Sequence, residues 1–275
     1  MRKLKKYKPT KFMAKTSHYD KDAADYAVMF IESLCHTKGT WAGKPFELID
    51  WQEQIIRDLF GVLKPNGYRQ FNTAYIEIPK KQGKSELAAA VALLLLCGDG
   101  EERAEVYGCA ADRNQAKIVF DVAVDMVRFC PALSKRVKIL ESQKKITYLP
   151  TNSSYQVLSA DVANKHGFNT HGVIFDELHT QPNRKLFDVM LQGSGDARMP
   201  VSYTHLRSGR RCWCLWRTAR RCIWLPIWKH SPRANNGKRW SPMSAKGWCA
   251  SIGKLCSLRI GTAWICSTAA PSSPG

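Results

Sequence analysis

Apolar residues in the first 200 positions follow two periods, and the switches between them mark out the elements. From Asp22 to Cys35 the positions Ala24, Ala27, Val28, Ile31 and Leu34 fall three or four apart, the spacing of one helix face, and Gly39 breaks the run. The same spacing in Ile55, Ile56, Leu59, Phe60 and Leu63 predicts a helix from Trp51 to Leu63, capped by Asp50 and followed by a Pro65-Asn66-Gly67 turn. Thr73 to Ile78 has strand character, Pro79 to Gly83 is a loop, and Ser85 to Cys97 is a helix rich in Ala and Leu, closed by Gly98. Glu105 to Ala110 reads as a buried strand and Ala111 to Phe129 as a helix stopped at Pro131. Lys144 to Ala160 reads as two strands about Pro150-Thr151-Asn152-Ser153, and Gly172 to Phe175 as a short apolar strand that ends in Asp176-Glu177-Leu178-His179. Strands alternating with helices predict an α/β fold with a mainly parallel sheet and helices on both faces.

Composition changes this picture at one place. The chain has 275 residues and a net charge of +19, which favours an anionic partner such as nucleic acid or simply keeps the protein soluble. Residues 201–275 carry 13 Lys and Arg with no Asp or Glu, seven of the nine Trp and six of the ten Cys, whereas the first 200 balance 29 basic residues against 23 acidic ones. The basic N-terminus MRKLKKYKPTKFMAK has no apolar core of a signal peptide, so a reducing cytosolic setting is expected. No zinc site is expected either, because Cys212 and Cys214 are one residue apart and neither CxxC nor paired His follows. The apolar run Ala88 to Cys97 is too short for a membrane span.

Two segments carry chemistry. Ala74 to Glu86, AYIEIPKKQGKSE, runs strand, tight loop, helix, where backbone N–H groups and the helix dipole favour a phosphate. Lys84 would reach the β and γ phosphates and the Ser85 hydroxyl would hold Mg²⁺. The usual first Gly of such a loop is replaced by Ile78, so Lys80, Lys81 and Lys84 also fit a solvated basic turn. In HGVIFDELH, an apolar strand delivers Asp176 to the sheet edge where it can hold the Mg²⁺ water shell, and Glu177 can polarise an attacking water. In isolation this is equally an acidic pair starting a surface helix. His179 is a second-rank candidate for sensing the γ phosphate. The two segments stand in the order and at the spacing of about 90 residues that one ATP site needs, and each supports the other.

Here the residues match a family. IPKKQGKSELAAA, VYGCAADRNQAKIVF and HGFNTHGVIFDELHTQPNRKLFDVM resemble successive blocks of the terminase large subunits of tailed bacteriophages, in which the phosphate loop lacks its first Gly. The resemblance spans residues 40 to 200. It implies a phosphate-loop NTPase that uses ATP and Mg²⁺ to pump double-stranded DNA into a procapsid, with a nuclease domain to follow. It also implies portal protein and small terminase subunit as partners, assembly as a homo-oligomeric ring, and a setting in the host bacterial cytoplasm. Carried over by position, Glu177 is the catalytic carboxylate and Lys80 acts on the γ phosphate. Gln82, Gly83, Lys84 and Ser85 bind the phosphates, Ser85 and Asp176 hold the metal, and Gln52, preferred over Gln54 because it follows Trp51, contacts adenine.

The likeness stops near Val201. The organisation expected is a basic arm and helix over 1–40, a terminase-like ATPase domain over 41–200, and a tail over 201–275 that is disordered or an artefact of an out-of-frame or chimeric join. A basic nucleic-acid arm with stacking Trp is the alternative for that tail. The strand that follows the acidic pair is then expected to be lost, leaving the sheet incomplete after the Asp-Glu strand, its backbone unpaired and the product poorly folded. No carboxylate cluster able to hold two metals follows Asp196, so nuclease activity is not expected. A helicase-like translocase, or an inactive basic DNA-binding remnant, is the competing function.

Overall fold

The computed structural model describes residues 7–10, 12–77, 82–159 and 168–192, and strand backbone at 201–206, 223–226, 259–260 and 263–265. A short strand β1 (His18–Tyr19) leads into helix α1 (Lys21–Glu32), whose N-cap Asp20 accepts a hydrogen bond from the Ala23 amide. Helix α2 (Asp50–Gly61) follows a loop and packs on α1. Asp50 is not its cap: Ile49 holds that position, Asp50 lies in the first turn, and the Gln52 side chain turns back to accept from the Ile49 amide at 3.1 Å. The helix also ends two residues before Leu63, because Val62 and Leu63 form β2 (Val62–Leu63), paired antiparallel with β1. The β-branched Val62 suits that extended backbone.

Strand β3 (Thr73–Glu77) leads to helix α3 (Lys84–Leu93), which widens into a π-helical turn over Leu94–Gly98. Leu87 to Leu96 are all at most 2% exposed. A helix apolar all round must be enclosed. α3 is the central pillar of the core, between the sheet, α1, α2 and helix α4 (Arg113–Phe129). Strand β4 (Glu105–Ala110) precedes α4, and the short helix α5 (Pro131–Ser134) starts at the proline that stops α4. Then come β5 (Val137–Leu140), β6 (Lys145–Tyr148), β7 (Ser153–Ser159) and β8 (Thr170–Phe175). The expected pair of strands about Pro150 is present as β6 and β7, and β5 is an antiparallel addition at the sheet edge. Helix α6 (Lys185–Gln192) covers the second face through Leu186, Phe187 and Met190, packed on Tyr107, Val173 and Phe175. Helices therefore lie on both faces, as the alternation of elements predicts.

The remaining strands are β9 (Val201–Leu206), β10 (Ile223–Pro226), β11 (Arg259–Ile260) and β12 (Ala263–Ile265), and the ten-stranded sheet has the order β11-β12-β10-β3-β9-β8-β4-β7-β6-β5. The run from β10 to β7 is parallel, with antiparallel strands at both edges. β9 corrects an expectation. The strand expected to be lost is present, parallel to β3 on one side, where Thr73 faces Ser202, and to β8 on the other, where Phe175 faces Thr204. The segment Val-Ser-Tyr-Thr-His-Leu is rich enough in β-branched and aromatic residues to extend. Both its neighbours offer backbone hydrogen bonds, so the gap that would have left buried groups unpaired is filled.

Candidate functional site

Parallel strands place all their C-terminal ends on one edge of the sheet, and that edge carries the residues singled out by sequence. Gly83 sits at φ +73°, ψ +20°, in the left-handed region that glycine enters without penalty, and caps the start of α3. The first helical residues are Lys84 and Ser85, so α3 directs its free N–H groups and positive dipole end toward this edge. Gln52 comes in from α2: a Cβ built on Gly83 would lie 3.7 Å from its Nε2, and Gln52 is itself buried. The structure thus brings Gln52 to the phosphate loop. Gln54 faces elsewhere, donating to the Lys8 carbonyl and to Asp58.

The acidic pair enters from β8. The Asp176 amide donates to the Cys109 carbonyl at 2.9 Å, extending the β8–β4 ladder one residue beyond the strand and fixing the Asp176 backbone. Asp176 is buried, and its Oδ2 accepts from Gln115 Nε2 of α4 at 3.5 Å. Glu177 adopts a left-handed backbone at φ +51°, ψ +50°, unusual for a residue with a Cβ and of a kind that concentrates at functional positions. Its carboxylate meets Lys84: Nζ lies 3.1 Å from Oε1, with the two side chains only 11% and 16% exposed. The loop after β3 and the acidic pair after β8 are thus joined over the end of β9.

Of the residues predicted for the site, Gln52, Gly83, Lys84 and Glu177 are linked by direct approach, and Ser85 and Asp176 adjoin them in sequence. Gln82 is exposed beside Gly83. Lys80 and the side chain of His179 lie outside the described residues, as do Cys212 and Cys214. Among the described residues no group of three or more His, Cys, Asp or Glu could hold a metal by itself. One hydroxyl and one buried carboxylate nonetheless fit Mg²⁺, which binds few protein groups and takes the rest of its shell from water and phosphate oxygens.

Two clusters of supporting residues, and Gln115 beside Asp176, escaped sequence reasoning. Glu86, in the first turn of α3, accepts from His36 Nδ1 at 2.9 Å, the Thr37 amide at 3.0 Å and the Thr37 hydroxyl at 3.2 Å. Burial pushes its carboxyl up, but the Thr37 and His36 hydrogen bonds outweigh it and hold it below the usual range. This clamp ties the helix under the phosphate loop to the loop before α2. At the opposite end of α3, Asp99 is paired with Arg69 and with His171 Nε2, all three nearly buried. Only Gln115 carried a signal legible in sequence: it lies three residues after Asp112, a helix cap at the end of a parallel strand, on the edge where ligands bind.

Comparison with known proteins agrees with this geometry. The family model for the terminase large subunit, ATPase domain, matches residues 50–203, running into β9. The large terminase subunit of Enterobacteria phage HK97 is 34% identical over 152 residues, which make up 54% of this chain and 29% of that protein. The crystal structure of the HK97 bacteriophage large terminase superposes with a TM-score of 0.56 at 29% identity, covering 66% of this chain and 37% of that one. The chain thus spans about a third of the length of the relatives it matches. Among the described residues no helix is long and apolar enough to cross a membrane. With half of its length matched and the phosphate loop and acidic pair meeting at one sheet edge, the chain belongs to the terminase large subunit ATPase-domain family of bacteriophages.

Proposed function

We propose that this chain binds ATP with Mg²⁺ and hydrolyses it by in-line attack of water, as the motor that drives double-stranded DNA into a procapsid. The observation that carries this reading is the approach of Lys84 to Glu177, since it brings a phosphate-binding cation and a water-polarising carboxylate to one point. The α3 N-terminus, Gly83 and Lys84 bind the β and γ phosphates, Gln82 flanks them, and Gln52 faces the adenine side. Ser85 and Asp176 hold the metal, which when bound neutralises charge developing on the phosphates. Glu177 orients the water and accepts its proton, and Lys80 contributes a second cation to the γ phosphate.

The net charge of +19 suits a DNA partner, and the family membership supports portal protein, small subunit, a ring of copies and the host cytoplasm as its setting. We take the ATPase unit to run from residue 41 through Leu206, because β9 fills the place between β3 and β8. The test is phosphate release by residues 1–275 against Lys84→Ala, with and without DNA. Release from the unaltered chain alone, stimulated by DNA, is expected. Equal background from both proteins would overturn the reading.

A further inference from the structure

We propose that Gln115 is a positioning residue for Asp176, holding its carboxylate ready for the divalent cation that accompanies the nucleotide; this rests on the ATP-site reading above. Both ends of the contact are mounted on fixed backbone. Asp112 accepts from the Asn114 amide at 2.8 Å and the Gln115 amide at 2.9 Å, which pins the first turn of α4. Directly behind it Ala116, Val119 and Phe120 are buried, so α4 cannot rotate without opening the core. Asp176 is pinned by its own amide on Cys109. Only side-chain rotation is left to set the distance between Gln115 Nε2 and Asp176 Oδ2. Its 3.5 Å is the long end of a hydrogen bond, the kind that shortens when ligand arrives.

The chemistry of the donor fits the task. Asp176 is 5% exposed, and a buried carboxylate oxygen calls for a hydrogen-bond donor. A lysine or arginine in the place of Gln115 would supply one, but its charge would oppose the cation that the carboxylate serves. The neutral amide of Gln115 donates without cancelling charge, as do the groups that commonly orient metal-binding carboxylates. Gln115 is half-buried on a helix surface, so its replacement leaves the core intact.

The proposal is tested by equilibrium binding of a fluorescent ADP analogue to the full chain, in EDTA and in Mg²⁺, with unfolding curves run alongside. Gln115→Met, of similar size without the amide, is expected to reduce the Mg²⁺-dependent gain in affinity by about tenfold while the affinity in EDTA changes by less than about twofold. Gln115→Ala should repeat that result, and Asp176→Asn should abolish the gain. If both Gln115 variants keep the full gain while Asp176→Asn loses it, Gln115 is a surface residue and the proposal is overturned. If they weaken binding equally in EDTA and Mg²⁺, the role is structural and the proposal is again overturned. Retention of the gain in Asp176→Asn would instead bring down the ATP-site reading, and this proposal with it.

Discussion

Lys84 Nζ lies 3.1 Å from Glu177 Oε1, joining residues 93 positions apart in sequence and separated in the sheet by strand β9. On the proposed reading, the cation for the γ phosphate is held by the carboxylate for the water, and entry of nucleotide is expected to draw Lys84 away from Glu177 toward the phosphates.

Glu177→Gln separates the two roles. Hydrolysis is expected to fall by about 10²- to 10⁴-fold, the usual contribution of a general base. ATP binding should hold or tighten several-fold, because Lys84 loses a competitor. Lys84→Ala should lose binding and hydrolysis together. Phosphate release and equilibrium ATP binding on the same preparations check this; a Glu177→Gln protein that binds ATP far more weakly would refute the competition.

Gly83→Ala probes the loop backbone. The added Cβ would meet Gln52 Nε2 at 3.7 Å, an ordinary contact, so the penalty is the left-handed backbone at φ +73°. That amounts to about 1–2 kcal/mol. Because the strain is relieved by moving the loop, nucleotide affinity should drop several-fold with a small change in the unfolding midpoint.

Asp99 gives the fold a pH dependence. Burial pushes its carboxyl up, but the His171 hydrogen bond and the Arg69 charge outweigh burial and hold it below the usual carboxylate range. With the folded value depressed, this stabilisation is present above the unfolded pKa of about 3.9 and is lost as pH falls through the folded value. Asp99→Asn, which takes a buried carboxylate away from both Arg69 and His171, should destabilise by about 3–5 kcal/mol near neutral pH. Denaturant unfolding should show that gap narrowing as pH falls below about 4. A gap that stays constant to acid pH would contradict the assignment.

Tyr155 and Gly108 form a packing pair. Among the described residues the buried Tyr155 hydroxyl has no hydrogen-bond partner, and a Cβ on Gly108 would lie 2.5 Å from it. Gly108→Ala should therefore destabilise by about 1–3 kcal/mol. Tyr155→Phe removes an unsatisfied hydroxyl and should be neutral or stabilising by about 1 kcal/mol. Combined, the two changes should recover much of the loss, measurable as a double-mutant cycle in unfolding free energy.

The local pattern carried much of the fold. The helix faces of α1 and α2, the fully apolar α3, and the strands that lead to Lys84 and to Asp176 were legible because each has a period or a breaker of its own. β5 was not, since Val137–Leu140 is too short to show a period and gains its place only by pairing with β6. Nor was the end of α2, where Val62 leaves the helix because β1 is there to pair with it. The charge and composition beyond residue 200 argued against β9. Its place was decided by two parallel neighbours with backbone groups to satisfy.

The candidate site divides the same way. Sequence alone determined the residue types, the phosphate loop before a helix and the acidic pair after a strand, since each is a local run with its own chemistry. Tertiary structure decided the partners: Glu177 for Lys84, Gln52 for Gly83, His36 and Thr37 for Glu86, and Gln115 for Asp176. Those contacts join segments 31 to 93 positions apart, and no local period records them. They exist because parallel strands gather their C-terminal ends on one edge, where loops remote in sequence must share the same space.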